Sequence, residues 1–136
     1  MRLRTVDGIL RNKNVTGRMI DWDKKSRSTF QKDVKDLLKP FWDLDVIYEE
    51  FPVYGTRYSL DFYNATRNIA IEVQGGQHTK YNPFFHNSNR QNFRHQLRID
   101  ESKRKFCELN NIHLIEIFEE ERSKLSLAFI EKLLSV

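Results

Sequence analysis

The sequence predicts an α/β fold in which a mixed sheet is flanked by helices, and three observations support this fold class. Patterns typical of strands and helices follow one another as helix, three strands, helix, strand and helix. The chain has 136 residues, which is enough for one domain but leaves no room for a second core. Hydrophobic residues make up 39% of the chain and include ten Phe, so a packed domain is expected rather than a disordered chain.

Residues 1–27 are basic and show no sustained periodicity. They contain few large apolar side chains beyond Met19, Ile20 and Trp22. We expect a basic N-terminal arm or loosely packed cap, which is either a solvated tail or a strip that neutralises phosphates. Residues 28–136 are expected to form a single domain.

A first helix is predicted over 28–39. Ser28 or Ser26 can cap it, apolar residues recur at helical spacing, and Pro40 stands where the helix is expected to end. The strand that follows reads DVIYEEFPVYG and is interrupted near Pro52. The next two strands read RYSLDFY and NIAIEVQ, and the short connection between them predicts an antiparallel hairpin.

The second half of the chain predicts a long loop, a helix, a strand and a final helix. Residues 75–91 lack any period, and a helix follows over about 92–110. The apolar run from Ile112 to Phe118 predicts a strand that is buried on both faces. A last helix is marked by apolar residues up to Leu134, with the acidic run Glu119–Glu121 at its start.

The predicted hairpin brings two carboxylates together. If the connection is a four-residue loop, Asn64 faces Ile69 and Asp61 faces Glu72, whereas a shift by one residue would send the apolar or the acidic set to the wrong face. Two adjacent carboxylates raise the pKa of one of them unless a cation lies between them. Two carboxylates with waters suit Mg²⁺, with Mn²⁺ as a substitute. The alternative is that both residues line a solvated face of the sheet.

Three polar residues fall on the arc of the second helix that should face the sheet. Gln96, Asp100 and Lys103 are spaced i, i+4, i+7 among apolar neighbours. Buried charges are unfavourable unless they are paired or belong to a site. One explanation is a salt bridge between Asp100 and Lys103. The explanation we favour is that this polar seam reaches the patch of Asp61 and Glu72, where Lys103 supplies positive charge.

Four segments together resemble the PD-(D/E)XK nuclease superfamily. They are LDFY at 60–63, IAIEVQGGQH at 69–78, DESK at 100–103 and HLIEI at 113–117. The likeness covers about residues 28–118 and is strongest to the branch related to the very-short-patch-repair (Vsr) endonucleases and to phage-borne or homing-type relatives. It implies a restriction-endonuclease-like αβββαβ core, Mg²⁺ dependence and DNA cleavage.

Carried over by position, the resemblance makes Asp61 and Glu72 the metal ligands. We expect the backbone carbonyl of Val73 or Gln74 to complete the protein's share of the coordination. Gln74 stands where the signature usually has Lys, and a neutral amide cannot stabilise charge as an amine does. In some members the lysine has moved to the following helix, which makes Lys103 the natural candidate here.

Two further positions of the resemblance concern proton transfer and a third acid. His78 follows the glycines as in the Vsr-like branch, where a histidine assists at the metal-bound water or the phosphate. The first-helix Glu of many members has no clear equivalent, since the polar choices are Gln31, Asp33 and Asp36. The sequence therefore leaves two functions open. One is a metal-dependent endodeoxyribonuclease, and the other is a nucleic-acid-binding module on the same scaffold without catalysis.

DNA is the expected partner. The formal net charge is +4 at pH 7, a mild excess that suits a polyanion. The cations expected to bind phosphates lie in the arm and near or on the second helix, where they are Lys80, Arg90, Arg94, Arg98 and Arg104. A single active site cuts one strand at a time, so cleavage of both strands would need a homodimer or successive nicks.

The remaining motifs exclude other classes of site. The single cysteine, Cys107, rules out an intramolecular disulfide and a multi-cysteine zinc site, and its helical position predicts a core residue in a reducing cytosol. The histidines at 78, 86, 95 and 113 are spaced too irregularly to favour a histidine metal cluster. No signal-peptide or membrane-spanning stretch is present, so we expect no membrane partner and a cytoplasmic, nucleoid-associated location in a bacterial or phage-infected cell.

Overall fold

The computed structural model describes residues 1–75 and 87–135, and for residues 87–90 it describes the backbone alone. The strands and helices are β1 (Arg2–Arg4), β2 (Leu10–Asn12), α1 (Thr29–Trp42), β3 (Ile47–Pro52), β4 (Ser59–Asn64), β5 (Ile69–Gln74), α2 (Asn87–Leu109), β6 (His113–Phe118) and α3 (Leu127–Leu134). Short 3₁₀ helices cover Thr16–Arg18 and Glu119–Lys124.

Four strands form one mixed sheet in the order β3-β4-β5-β6. The first three are an antiparallel meander, and β6 runs parallel to β5. Parallel neighbours need a crossover connection, and α2 lies in the segment that supplies it. The predicted α/β class, with a mixed sheet flanked by helices, is therefore confirmed.

Both faces of the sheet are covered. On one face Phe62, Ile71 and Ile117 pack with residues of α1 and α3. On the other face Tyr63 and Ala70 pack with residues of α2 and of the N-terminal segment. Because apolar side chains on both faces are removed from water, the strands are held in fixed positions for the polar residues described below.

Helix α1 begins as predicted but ends later. The Ser28 hydroxyl accepts a hydrogen bond from the Gln31 main-chain N–H at 3.1 Å, which fixes the N-cap. The predicted end at 39 is wrong, since the helix continues through Pro40 to Trp42. Pro40 lies on the exposed side of the last turn, and Asp36, whose carbonyl loses its helical donor there, is exposed as well.

The N-terminal segment is a packed cap. Strands β1 and β2 pair in antiparallel register, and the Tyr54 hydroxyl donates to the Met1 carbonyl at 2.7 Å. The Arg4 main-chain N–H donates to the Asn110 side chain at 2.7 Å, and Val15 is buried in the core. The segment is therefore anchored to the domain and is not a solvated tail.

Three features of the second half of the chain differ from prediction. Helix α2 begins at Asn87, so residues 87–91 do not belong to a loop. Strand β6 is at the sheet edge with His113 exposed, so burial on both faces is wrong. The acidic run forms the 3₁₀ helix Glu119–Lys124, because extended backbone at Leu125 separates it from α3. None of the helices in the described part of the chain is both long and apolar enough to cross a membrane.

Candidate active site

The register of the β4–β5 hairpin places Asp61 beside Glu72. The paired residues are Asn64 with Ile69, Tyr63 with Ala70 and Phe62 with Ile71, as the sequence predicted. The main-chain hydrogen bonding between β4 and β5 stops after Phe62 and Ile71, and beyond that pair carboxylate side chains bond to the main chain of the neighbouring strand. The Asp61 main-chain N–H donates to Glu72 Oε1 at 2.9 Å, and the Val73 N–H donates to Asp61 Oδ2 at 2.7 Å. Each carboxylate is thus bonded to the backbone of the other strand.

Burial controls the protonation of this pair. Asp61 is 8% exposed and Glu72 is 3% exposed. Desolvation and the neighbouring Glu72 charge raise the pKa of Asp61 to about 8, against the opposing effects of the Val73 N–H and Lys103. Desolvation also raises the pKa of Glu72, and Lys103 opposes that shift. Without a metal, the pair therefore retains a proton at neutral pH, which a divalent cation could replace.

Lys103 reaches the carboxylate pair from α2. Its Nζ donates to Glu72 Oε2 at 2.8 Å, and the two side chains are 13% and 4% exposed. Asp100, which is also buried, accepts a hydrogen bond from Gln96 Nε2 at 3.0 Å instead of pairing with Lys103. The polar seam of α2 therefore meets the patch of Asp61 and Glu72, and the explanation by an Asp100–Lys103 salt bridge is wrong.

A third carboxylate, Glu50, lies on β3 beside the pair of Asp61 and Glu72, and the sequence analysis did not predict it. In the β3–β4 register Glu49 pairs with Phe62 and Phe51 with Leu60, so Glu50 stands opposite Asp61. Glu50 has a left-handed backbone, φ 56°, which interrupts the ladder. Its carboxylate accepts a hydrogen bond from the Ser59 hydroxyl at 2.9 Å.

At the other edge of the sheet, Glu72 is in register with Glu116. Glu50, Asp61, Glu72 and Glu116 thus follow one another across the four strands, and we call them the carboxylate row. Three of the four carboxylates have a cationic partner. Arg27 pairs with Glu50 at 2.6 Å, Lys103 pairs with Glu72, and Arg104 pairs with Glu116 at 3.0 Å. Among the residues that the structure describes, Asp61 has no ion pair. Asp61 is therefore the member of these four without a cationic partner in the described part of the chain, and an added cation would be most favourable there.

The polar residues of α1 do not supply a helix acid. Asp33 pairs with Arg122 and Asp36 with Lys32, and the side chains of both acids are more than half exposed. Gln31 is buried and donates hydrogen bonds of 3.0 Å to both Glu49 and Glu50. The first helix thus reaches the row through a neutral amide, and Glu50 on β3 provides the nearby charge. The local sequence gives no signal for Glu50, because the alternation of β3 fails at its left-handed backbone.

Of the other predicted site residues, some lie near the pair of Asp61 and Glu72 and others are turned away from it or lie outside the described residues. Gln74 is buried two residues after Glu72, on the same face of β5. Arg94 and Arg98 are exposed, and helix geometry turns them about 180° and 140° from Lys103, away from the pair. Arg104 binds Glu116 with its Nε and Nη2 atoms. His78, Lys80 and the side chain of Arg90 lie outside the described residues, as does most of the predicted loop.

The donor set suits a hard cation that keeps waters. Across residues 1–75 and 87–135, no three His, Cys, Asp or Glu side chains converge to form a complete metal cage. Mg²⁺, however, is usually bound through one or two carboxylates and several waters. Asp61 and Glu72, with a backbone carbonyl at Val73 or Gln74, fit that requirement by their chemistry.

Comparisons with known proteins place the chain beside viral relatives. No family profile and no solved structure matches it. Uncharacterized protein 033L of Invertebrate iridescent virus 3 is 36% identical over 66 residues, which is 48% of this chain and 34% of that protein. Uncharacterized protein 307L of Invertebrate iridescent virus 6 is 41% identical over 58 residues, 43% of this chain and 29% of that protein.

A third relative is uncharacterized protein 094L of Frog virus 3 (isolate Goorha), which is 41% identical over 66 residues, 48% of this chain and 43% of that protein. The chain thus matches less than half the length of each of these three relatives. Their names state no activity. By these comparisons the chain is similar to a segment found in proteins of two iridescent viruses and a frog virus.

Proposed function

We propose that the protein is a metal-dependent endodeoxyribonuclease with a restriction-endonuclease-like core of the PD-(D/E)XK type. The observation that carries the proposal is the buried pair of Asp61 and Glu72 at the point where the β4–β5 ladder ends, with the Lys103 ammonium on one carboxylate. The order α1, β3, β4, β5, α2, β6 and the mixed sheet agree with the αβββαβ core implied by the resemblance.

In this proposal Asp61, Glu72 and the backbone carbonyl of Val73 or Gln74 hold one Mg²⁺. The ion, when bound, polarises a phosphoryl oxygen and lowers the pKa of a water that attacks phosphorus. Lys103 favours the ionised form of Glu72 and places positive charge beside the phosphate. The buried Gln74 amide orients the water or the phosphate by hydrogen bonding.

Two further groups complete the proposal. His78 is assigned to proton transfer on the resemblance alone. Glu50 is assigned the place of the missing helix acid, because it stands opposite Asp61 and its charge also favours the protonated form of Asp61. A cation at the pair would be attracted by Glu50 without requiring direct coordination.

Plasmid cleavage tests the proposal. The purified protein is incubated with supercoiled plasmid and Mg²⁺, Mn²⁺ or EDTA, and nicked circles are expected with either metal and not with EDTA. Asp61→Asn and Glu72→Gln remove one ligand charge each at nearly constant size, and each should lower the rate about 100-fold or more. Asp36→Asn is the matched control, because Asp36 is an exposed carboxylate on α1. Cleavage that survives both site substitutions would exclude this site.

A second candidate is the catalytically inactive DNA-binding module. It is favoured by Gln74, which stands where the signature has Lys and cannot carry a charge. The same preparations separate the two functions. Salt-dependent binding of duplex DNA with no cleavage in Mg²⁺ or Mn²⁺ would support the module and reject the nuclease.

A further inference from the structure

A cleft of about 300 Å³ lies beside the carboxylate row, between the N-terminal segment and strand β3. Its lining residues come from two stretches of chain, residues 17–27 and the pair Glu49 and Glu50. Four cations line it, and they are Arg18, Lys24, Lys25 and Arg27. Half of the eight Lys and Arg residues of the N-terminal segment therefore line this cleft.

The acids in the cleft wall are already neutralised. Glu49 accepts a hydrogen bond from Lys35 Nζ at 2.8 Å, and Lys35 is fully buried. Glu50 pairs with Arg27 at 2.6 Å. Arg18, Lys24 and Lys25 make no ion pair with any residue in the described part of the chain, and the remaining acid of the lining is Asp21. Three exposed cations thus face one acid, which favours an anionic ligand.

The backbone that presents these cations is held by α1. Lys35 Nζ donates to the Lys24 carbonyl at 2.8 Å, and Lys32 Nζ donates to the Trp22 carbonyl at 3.0 Å. Both bonds use main-chain oxygens of the cleft segment. Removal of the Lys24 side chain therefore leaves its anchoring bond in place, so the cleft can be changed without unfolding its wall.

The cleft is close to the proposed metal ligands. Glu50 lines it and also stands opposite Asp61 in the sheet. Neighbouring strands are about 4.8 Å apart, so the backbone of Glu50, whose side chain lines the cleft, lies about one strand spacing from the backbone of Asp61 and two from that of Glu72. Phosphates on one DNA strand follow each other at a rise of about 3.4 Å. A strand with one phosphate at Asp61 would bring its next phosphates to the cleft.

We propose that this cleft binds the phosphodiester backbone of the DNA strand next to the phosphate at Asp61. The inference rests on the proposed function and names the phosphate-binding surface of that site. Arg18, Lys24 and Lys25 carry the interaction. Arg94 and Arg98, which lie on the side of α2 turned away from Lys103, contribute little.

Binding of a short fluorescent DNA tests the inference by anisotropy, with Ca²⁺ in place of Mg²⁺ so that nothing is cleaved. The double variant Lys24→Ala/Lys25→Ala is compared with Arg94→Ala/Arg98→Ala, which removes the same number of charges. The cleft variant should bind about tenfold more weakly and lower the slope of log affinity against log salt by about 2. The helix variant should keep its affinity within about twofold.

Duplex and single-stranded probes of equal length separate two sources of the same chemistry. If the cleft variant loses affinity for both probes, the cleft binds the backbone of one strand. If it loses affinity for the duplex probe alone, the cleft needs both strands. Either result supports the inference. An equal or larger loss in the helix variant, or an unchanged salt slope in the cleft variant, overturns it. Thermal unfolding at an unchanged midpoint verifies that both variants are folded.

The binding assay is independent of cleavage. If the protein never nicks plasmid but shows this binding pattern, the nuclease proposal is rejected and the cleft inference is supported. If the protein nicks plasmid in Mg²⁺ and the cleft variant binds and nicks as the parent protein does, the nuclease proposal is supported and the cleft inference is rejected.

Discussion

Asp61 is the central residue of the proposed metal site. Its neighbours in the carboxylate row are each held by a cation, whereas Asp61 accepts a hydrogen bond from the Val73 N–H and has no ion pair among the residues described. A buried carboxylate without a counter-charge is unfavourable in its ionised form. Proteins retain such groups where a ligand, a proton or a metal supplies the missing charge.

The metal-free protein should lose stability as pH rises, because of Asp61. Its native pKa of about 8 lies above the value of about 3.9 in the unfolded chain, so the native state holds a proton that the unfolded state releases. The free energy of unfolding therefore falls between pH 4 and 8, by at most about 1.4 kcal/mol per pH unit for this group. Asp61→Asn should flatten the curve and stabilise the protein at pH 8.

Denaturant unfolding in EDTA at pH 5 and pH 8 measures this effect. Asp36→Asn is the matched control, since its carboxylate is exposed and paired on the surface. The control should follow the parent protein at both pH values. If Asp61→Asn also follows the parent, the Asp61 carboxylate does not hold the proton.

Lys103 should be needed for stability as long as Glu72 is charged. Lys103→Met leaves Glu72, 3% exposed, without its cation, and we expect a loss of about 3–5 kcal/mol at pH 7. The double variant Lys103→Met/Glu72→Gln should regain most of that loss, because no buried charge is then unpaired. Lys105→Met on the exposed side of α2 serves as the control. Additive effects in the double-mutant cycle would contradict a direct pair.

Asp61, Glu72 and Lys103 could be predicted because two periodicities fix their directions. The hairpin register depends on a short connection, and the helical arc depends on spacing alone. Glu50 could not be found in the same way. It lies at a position of left-handed backbone on the neighbouring strand, where alternation fails and local pattern carries no register.

At the scale of elements, the order and type of the central helices and strands could be predicted, and the N-terminal strands could not. Strands β1 and β2 have three residues each and are mostly exposed, so they show no apolar alternation. They are held by distant partners, including the Tyr54 hydroxyl and the Asn110 side chain. Contacts between residues far apart in sequence leave no local pattern.

The cap of α1 should contribute measurably to stability. Ser28→Ala removes the oxygen that accepts the Gln31 N–H, and we expect a loss of about 1 kcal/mol in the free energy of unfolding. Ser123→Ala is the control, because Ser123 lies inside an exposed 3₁₀ helix and caps nothing. Urea denaturation of both variants measures the difference. An equal effect of the two substitutions would show that the Ser28 cap is not specific.

At the scale of the whole molecule, the sheet separates two apolar clusters, and the carboxylate row crosses its four strands near their middle. Helices α1 and α3 cover one face, and α2 with the N-terminal cap covers the other. The row runs across all four strands, from Glu50 on one edge to Glu116 on the other. A ligand bound at the proposed site would contact elements from both halves of the chain, so we expect it to stabilise the domain as a unit.

Cys107 reports on that cooperative stability. The thiol is 2% exposed between α2 and the sheet, and burial raises its pKa to about 12. A thiol reagent at pH 8 should leave the native protein unlabelled and react at once with the protein in denaturant.

Mn²⁺ at about 100 times its dissociation constant should slow labelling about 100-fold, since it stabilises the native state by about 2.7 kcal/mol. The same Mn²⁺ should have no effect on Asp61→Asn. Rapid labelling of the native protein would show that α2 opens locally. Equal protection by Mn²⁺ in both proteins would contradict the assignment of Asp61 to the proposed metal site.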